Sequence, residues 1–160
     1  LQLQQFLLDL SAGLTEADRD SDRHLVGFNQ FFFPGEFLPN FVPITYFRVG
    51  ASGDFQNTAG SEFAFDSWEF SFGLGADLPW DIGFTVLYRL TDRGFRHASV
   101  FDAASEVRDD LENRLSFELS KPIADHWQVA LAGTFTFNDS DVPLYDYNRK
   151  VVGAYLTYQF

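Results

Sequence analysis

The sequence predicts an all-β fold, an antiparallel up-and-down transmembrane β-barrel of about eight strands or the corresponding arc of a larger barrel. Three observations predict it. Apolar and polar residues alternate with period two in eight separate segments. Short turns and long polar loops alternate between most of those segments. No run approaches the ~18 to 20 consecutive apolar residues that a spanning helix requires, although 46% of the residues are hydrophobic and 20 are Phe.

The segments follow in order. In residues 4–14, Phe6, Leu8, Leu10, Ala12 and Leu14 oppose Gln5, Leu7, Asp9, Ser11 and Gly13. In residues 25–33, Val26, Phe28 and Phe32 oppose Gly27 and Asn29, and in residues 44–51 Thr45, Phe47 and Val49 oppose Tyr46 and Arg48. The fourth is the cleanest, with Trp68, Phe70, Phe72, Leu74 and Ala76 against Glu69, Ser71, Gly73 and Gly75. In the fifth, Ile82, Phe84, Val86, Tyr88 and Leu90 oppose Gly83, Thr85, Leu87, Arg89 and Thr91. The sixth sets Leu111, Leu115, Phe117 and Leu119 against Glu112, Arg114, Ser116, Glu118 and Ser120. The seventh sets Trp127, Val129, Leu131, Gly133, Phe135 and Phe137 against Gln128, Ala130, Ala132, Thr134 and Thr136. The eighth alternates Val152, Ala154, Leu156, Tyr158 and Phe160 with Val151, Gly153, Tyr155, Thr157 and Gln159. Residues 77–81 and 121–126 read as short turns, and residues 15–24, 52–60, 92–109 and 138–148 as long loops. Residues 34–43 break the scheme, being long, apolar and three times interrupted by Pro, and read either as a periplasmic cap or as a place where the strands of a larger barrel are misassigned. The whole of residues 1–160 is expected to form one outer-membrane domain.

A soluble barrel with an aromatic core has the same periodicity, so the choice of face rests on composition. The more polar face is built of small residues such as Gly27, Gly73, Gly75, Gly83, Ala130, Ala132 and Gly153, which suit the crowded lumen of a narrow barrel. Its charges balance: Asp9, Glu69, Glu112 and Glu118 against Arg48, Arg89, Arg114 and Arg149. An unpaired charge in such a lumen costs several kcal/mol, so these eight are expected to form a network. The net charge of -12 then falls on loops, turns and strand ends. On the apolar face Phe32, Trp68, Tyr88, Trp127 and Phe137 are expected to form aromatic girdles at the lipid–water boundaries.

Strong acidity, with a pI near 4.4, excludes nucleic acid as a partner class, because phosphate binding calls for a basic face. The absence of Cys removes disulfides, thiolate metal sites and a Cys nucleophile. His24 and His97 are expected in loops and His126 in a turn, none with a Ser and an acid beside it, so no catalytic triad is predicted. Asp18, Asp20 and Asp22 have the spacing that opens a calcium loop but lack its Gly and distant Glu. No metal and no cofactor is expected. Arg19, Arg23, Arg93 and Arg96, at the loop bases, are placed to meet lipid phosphates.

The final segment, from Tyr147 to Phe160, ends in Phe with apolar residues at every second position. It resembles the C-terminal signal by which the barrel assembly machinery recognises bacterial outer-membrane proteins. The resemblance implies Leu156, Tyr158 and Phe160 as the signal and that machinery as a partner. Residues 109–160 carry a charged strand start, a Leu-Ser strand, a turn ending in Trp127, the stretch Thr-Phe-Asn-Asp-Ser-Asp and then Tyr-Asp-Tyr-Asn-Arg. This part is similar to the barrel hairpins of envelope proteins with a tetratricopeptide region, surface lipoprotein assembly modifiers among them. The barrels of that group exceed eight strands, which implies that this chain supplies part of a wall or one piece of a split system. The expected function is non-enzymatic: a bacterial outer-membrane anchor or scaffold in contact with lipid and lipopolysaccharide, presenting loops or residues 34–43 to a protein partner. The alternatives are a pore or export-channel subunit and, third, a lipid A-modifying enzyme.

Overall fold

The computed structural model describes residues 2–4, 21–36, 43–58, 63–98 and 107–159. They form one antiparallel sheet whose strands follow chain order. A three-residue strand, β1 (Gln2–Gln4), precedes seven long ones: β2 (Ser21–Phe32), β3 (Ile44–Thr58), β4 (Phe65–Leu78), β5 (Ile82–Ala98), β6 (Val107–Ala124), β7 (Trp127–Ser140) and β8 (Tyr147–Tyr158). Among the described residues nothing pairs β8 with β1, so the sheet is an arc and not a closed ring. β1 meets only Ser21, Asp22 and Arg23 of β2. The rest of the predicted first strand, and residues 37–42 of the segment expected as a periplasmic cap, lie outside the described residues.

The strands are longer than the hydrophobic pattern suggested. Residues 52–58, 92–98, 107–109 and 138–140, expected in loops, are strand. His24 and His97 accordingly stand on β2 and β5, and only His126 is in a turn. The physical reason is that ladder hydrogen bonds continue wherever two backbones stay in register, whatever the polarity of their side chains. The reach of the alternating apolar signal therefore marks where one face meets an apolar medium, not where pairing stops. The expected six-residue turn at 121–126 likewise contracts to Asp125 and His126, because β6 continues through Pro122 with a register shift before Ala124. At the β4–β5 turn, Trp80 and Asp81 take positive φ values of 69° and 59°, left-handed conformations that carry a cost for residues with a Cβ.

Register assigns every side chain to one of two faces. Gly27, Ser52, Glu69, Thr91, Glu112, Asn138 and Tyr147 stand in one row across β2 to β8. This inner face is the sheltered one: on β4, Ser67 and Ser71 are 4% and 8% exposed, whereas Phe70 between them, on the outer face, is 58% exposed. The usual rule of apolar inside and polar outside is thus inverted. Outer aromatics pack laterally on one another, Phe55 against Trp68 at 5.3 Å, Phe117 against Phe135 at 6.0 Å and Trp127 against Tyr158 at 4.9 Å between centroids. Gly75 and Gly133 make room for aromatic rings on the two faces, since a Cβ at either would run into the ring directly opposite, Tyr46 on the inner face and Phe117 on the outer.

Candidate functional site

Chemistry-bearing side chains concentrate on the inner face, in the half nearer Thr58 and Ala98. Five neighbouring strands each give two residues to a cavity of about 330 Å³: Arg23 and Leu25 from β2, Ser52 and Asp54 from β3, Ser67 and Glu69 from β4, Thr91 and Arg93 from β5, Glu112 and Arg114 from β6. The period of two along each strand brings the pairs to one side, and antiparallel register lines them up. Three cations face three anions. The Arg23 guanidinium forks onto both carboxylate oxygens of Asp54. Arg114 Nη2 pairs with Glu112 Oε1 at 2.7 Å, and the Tyr147 hydroxyl donates to Glu112 Oε2 at 3.0 Å. Arg93 lies over the Phe65 ring, 5.0 Å from its centroid.

The end of the inner face above the cavity is closed by an arginine–aromatic stack. Arg108 sits over the rings of Phe95 at 4.3 Å and Tyr145 at 3.4 Å and holds the nearly buried carboxylate of Asp110. Phe95 in turn packs on Phe65 at 5.8 Å. Tyr145 belongs to a short 3-10 turn, Pro143–Tyr145, whose last carbonyl accepts a 2.7 Å bond from Asn138 Nδ2. Val142, at 2% exposure, is pinned beneath. Residues 141–146 are therefore tied to the sheet by specific contacts and do not behave as a free loop.

Of the eight residues expected to form a charge network, Arg48, Glu69, Arg89, Glu112, Arg114, Glu118 and Arg149 share the inner face by register. Asp9 lies outside the described residues. Of these seven, only Glu112 and Arg114 form an ion pair with each other. Arg48 turns instead to Asn29, whose Oδ1 accepts from Nε at 3.0 Å and Nη2 at 2.7 Å. Arg23, Asp54, Arg93, Arg108 and Asp110 carry more of the site than the sequence pattern suggested. Arg23, Asp54, Arg93 and Arg108 were placed in loops, yet their parity along each strand already matched that of the other inner-face residues. Arg23 and Arg93 consequently point away from the outer face on which lipid phosphates were expected. Arg96 does stand on the outer face, held by Asp66 and Asn57.

Phe32, Trp68, Tyr88, Trp127 and Phe137 are all exposed on the outer face. Tyr88 stands level with Phe72 and Leu115, at mid-height of the apolar band and not at a strand end, and its hydroxyl donates to Asn113 Oδ1 at 2.6 Å. Leu156 and Tyr158 are outward-facing on β8, and Phe160 is outside the described residues. Beyond the band, toward Ala98 and Val107, acids gather on the outer face. There burial, and after it the charges of Asp141, Asp92 and Asp110, push the Asp109 carboxyl above its ordinary value. Among the described residues no group of three or more His, Asp or Glu is arranged to hold a metal ion.

The family model for surface lipoprotein assembly modifiers matches residues 39–160. The chain belongs to the surface lipoprotein assembly modifier family. The match takes in β3 to β8, and with them eight of the ten cavity-lining positions, all except the two of β2, so the inverted sheet and most of its charged face are the modifier's own region. No curated protein and no solved structure gave a match.

Proposed function

We propose that in this modifier the sheet is a wall embedded in the bacterial outer membrane, and that it supports the assembly of surface lipoproteins as a non-enzymatic scaffold. Its outer face would meet lipid, and its charged inner face would line and partly fill the lumen. The observation that carries this reading is a slant in the apolar band. One register row runs through Phe32, Phe47, Leu74, Val86, Phe117, Gly133 and Val152. On β2 and β3 the row touches the endmost outer apolar residues on the side of Pro34, Phe32 and Phe47. On β8 it touches the outer apolar residue at the opposite end, Val152, which Lys150 and Asn148 precede. The band thus drifts along the strands by roughly one residue per strand, which corresponds to strands inclined by about 40° to the band, the tilt of transmembrane barrels. A layer of lipid, flat and independent of register, accounts for that drift. Water-exposed aromatics on a soluble sheet have no reason to follow it.

The barrel and its scaffold role are tested separately. In detergent micelles the full chain is expected to give a β-sheet circular dichroism spectrum and to migrate differently on a denaturing gel before and after boiling. Good solubility without detergent and no mobility shift would refute membrane embedding. In cells, removal of the chain is expected to lower the amount of lipoprotein that protease can reach on the intact surface, while total lipoprotein is unchanged. Normal surface exposure in its absence would refute the scaffold role.

A further inference from the structure

The cavity on the inner face has two charges left over. Arg23 is engaged with Asp54, and Arg114 with Glu112. Glu69 makes no hydrogen bond or ion pair among the described residues, and Arg93 has only the face of Phe65. Arg93 pairs in register with Ser67, two residues from Glu69 on the same face, so the two backbones are diagonal neighbours about 7–8 Å apart. Side chains of this length could meet directly. They splay instead: Arg93 leans over Phe65, the residue on the far side of Ser67 from Glu69. The Nε atoms of Arg93 and Arg114 are both buried without an acceptor, an arrangement that native structures normally resolve with a water or a bound group.

We propose that this cavity is a binding site for a compact zwitterion of the aminoalkyl phosphate type, its phosphate held by Arg93 and Arg114 and its ammonium by Glu69. Charge decides the class. A simple anion would face Glu69 and Glu112 as well as the arginines, and a simple cation would face the arginines, whereas a zwitterion leaves neither unpaired charge opposed. Arginine's fork suits a phosphate, and the splay of Glu69 from Arg93 suits charges separated by a short alkyl chain better than the adjacent charges of an amino acid. A space of about 330 Å³ accommodates a headgroup but not a polymer. The site goes beyond the scaffold role and does not depend on it.

The test is calorimetric titration of the full chain, folded in an uncharged sugar detergent, with glycerophosphoethanolamine. Glycerophosphoglycerol (the anion alone) and ethanolamine (the cation alone) serve as the two halves. The zwitterion is expected to bind about tenfold more tightly than the anion, with ethanolamine giving no heat. Glu69→Gln should bring zwitterion and anion to equal affinity, and Arg93→Gln should abolish both. Equal binding of zwitterion and anion by the unaltered chain, or no heat at all, would overturn the proposal without reference to any variant. Unchanged affinity in a folded Glu69→Gln protein, judged by its circular dichroism, would overturn it as well. Short-chain phosphatidylethanolamine then distinguishes the source: displacement of the soluble compound assigns a lipid headgroup, and no displacement assigns a free metabolite. Because the titration reads ligand binding in detergent and not insertion into a bilayer, its failure is separate from failure of the membrane reading.

Discussion

Phe72 and Val152 give the sharpest test of the slanted band. Both are outward-facing and well exposed, at 47% and 59%. Val152 stands only two residues along the strand from the row of Phe72, which ends at Lys150. If register rows lay parallel to the membrane, both side chains would sit near mid-depth. With the slant, Phe72 remains at mid-depth while Val152 lies at the boundary. An Arg on the lipid face costs about 2–4 kcal/mol at the bilayer midplane and about 0–1 kcal/mol near an interface. Phe72→Arg also loses the ring contact with Phe47 at 6.3 Å, worth about 0.5–1 kcal/mol. Phe72→Arg should therefore destabilise the folded chain by about 3–4 kcal/mol and Val152→Arg by no more than about 1 kcal/mol. Urea titration in phospholipid vesicles, followed by the fluorescence of the three Trp residues, measures both. Equal large losses would refute the slant while leaving lipid on the outer face. Changes within about 0.5 kcal/mol for both, as expected of ordinary surface positions in water, would refute the lipid reading itself.

Arg108→Ala should cost about 3 kcal/mol in the same titration, because it strands the carboxylate of Asp110 at 3% exposure; the double variant with Asp110→Ala should recover part of that loss, and no recovery would mean that the stack on Phe95 and Tyr145 carries the effect. Gly75→Val should cost about 1–3 kcal/mol, because its side chain would take the place of the Tyr46 ring, and Tyr46→Ala in the same background should relieve much of the loss. Asp109 lies beyond the apolar band, and its raised carboxyl pKa penalises the folded state at any pH where it is ionised, a penalty that vanishes below the unfolded value of 3.8. Asp109→Asn should accordingly stabilise the chain at neutral pH and leave it unchanged in strong acid; an equal gain at both pH values would show that the effect is not electrostatic.

How far the sequence could be read depended on what each feature rests upon. The face assignments of β2 to β8 were legible because side chains alternate with a fixed period, and a single clean strand such as β4 shows which residues belong together. The inner-face location of Arg48, Arg89, Glu118 and Arg149 followed from the same parity. Strand ends were not legible. Asp54 and Arg93 look like loop residues because they are charged and lie past the apolar run, yet the backbone ladder carries them onto the inner face. Nor could ion-pair partners be read. Arg48 and Glu69 are both inner-face residues, but Arg48 finds Asn29 across the β2–β3 ladder, while Glu69 has no ion-pair partner among the described residues.

By itself the sequence determined the all-β class, the order of the strands and which residues share a face, because each of these follows from local periodicity and from turns that join neighbours in the chain. Register across strands needs both partners at once, and it was decided only in three dimensions. From register came the slant of the apolar band, the exposure of Phe70 beside a sheltered Ser71, the pairing of Arg23 with Asp54 across 31 residues of chain, and the cavity in which Glu69 and Arg93 are left facing a space that neither fills.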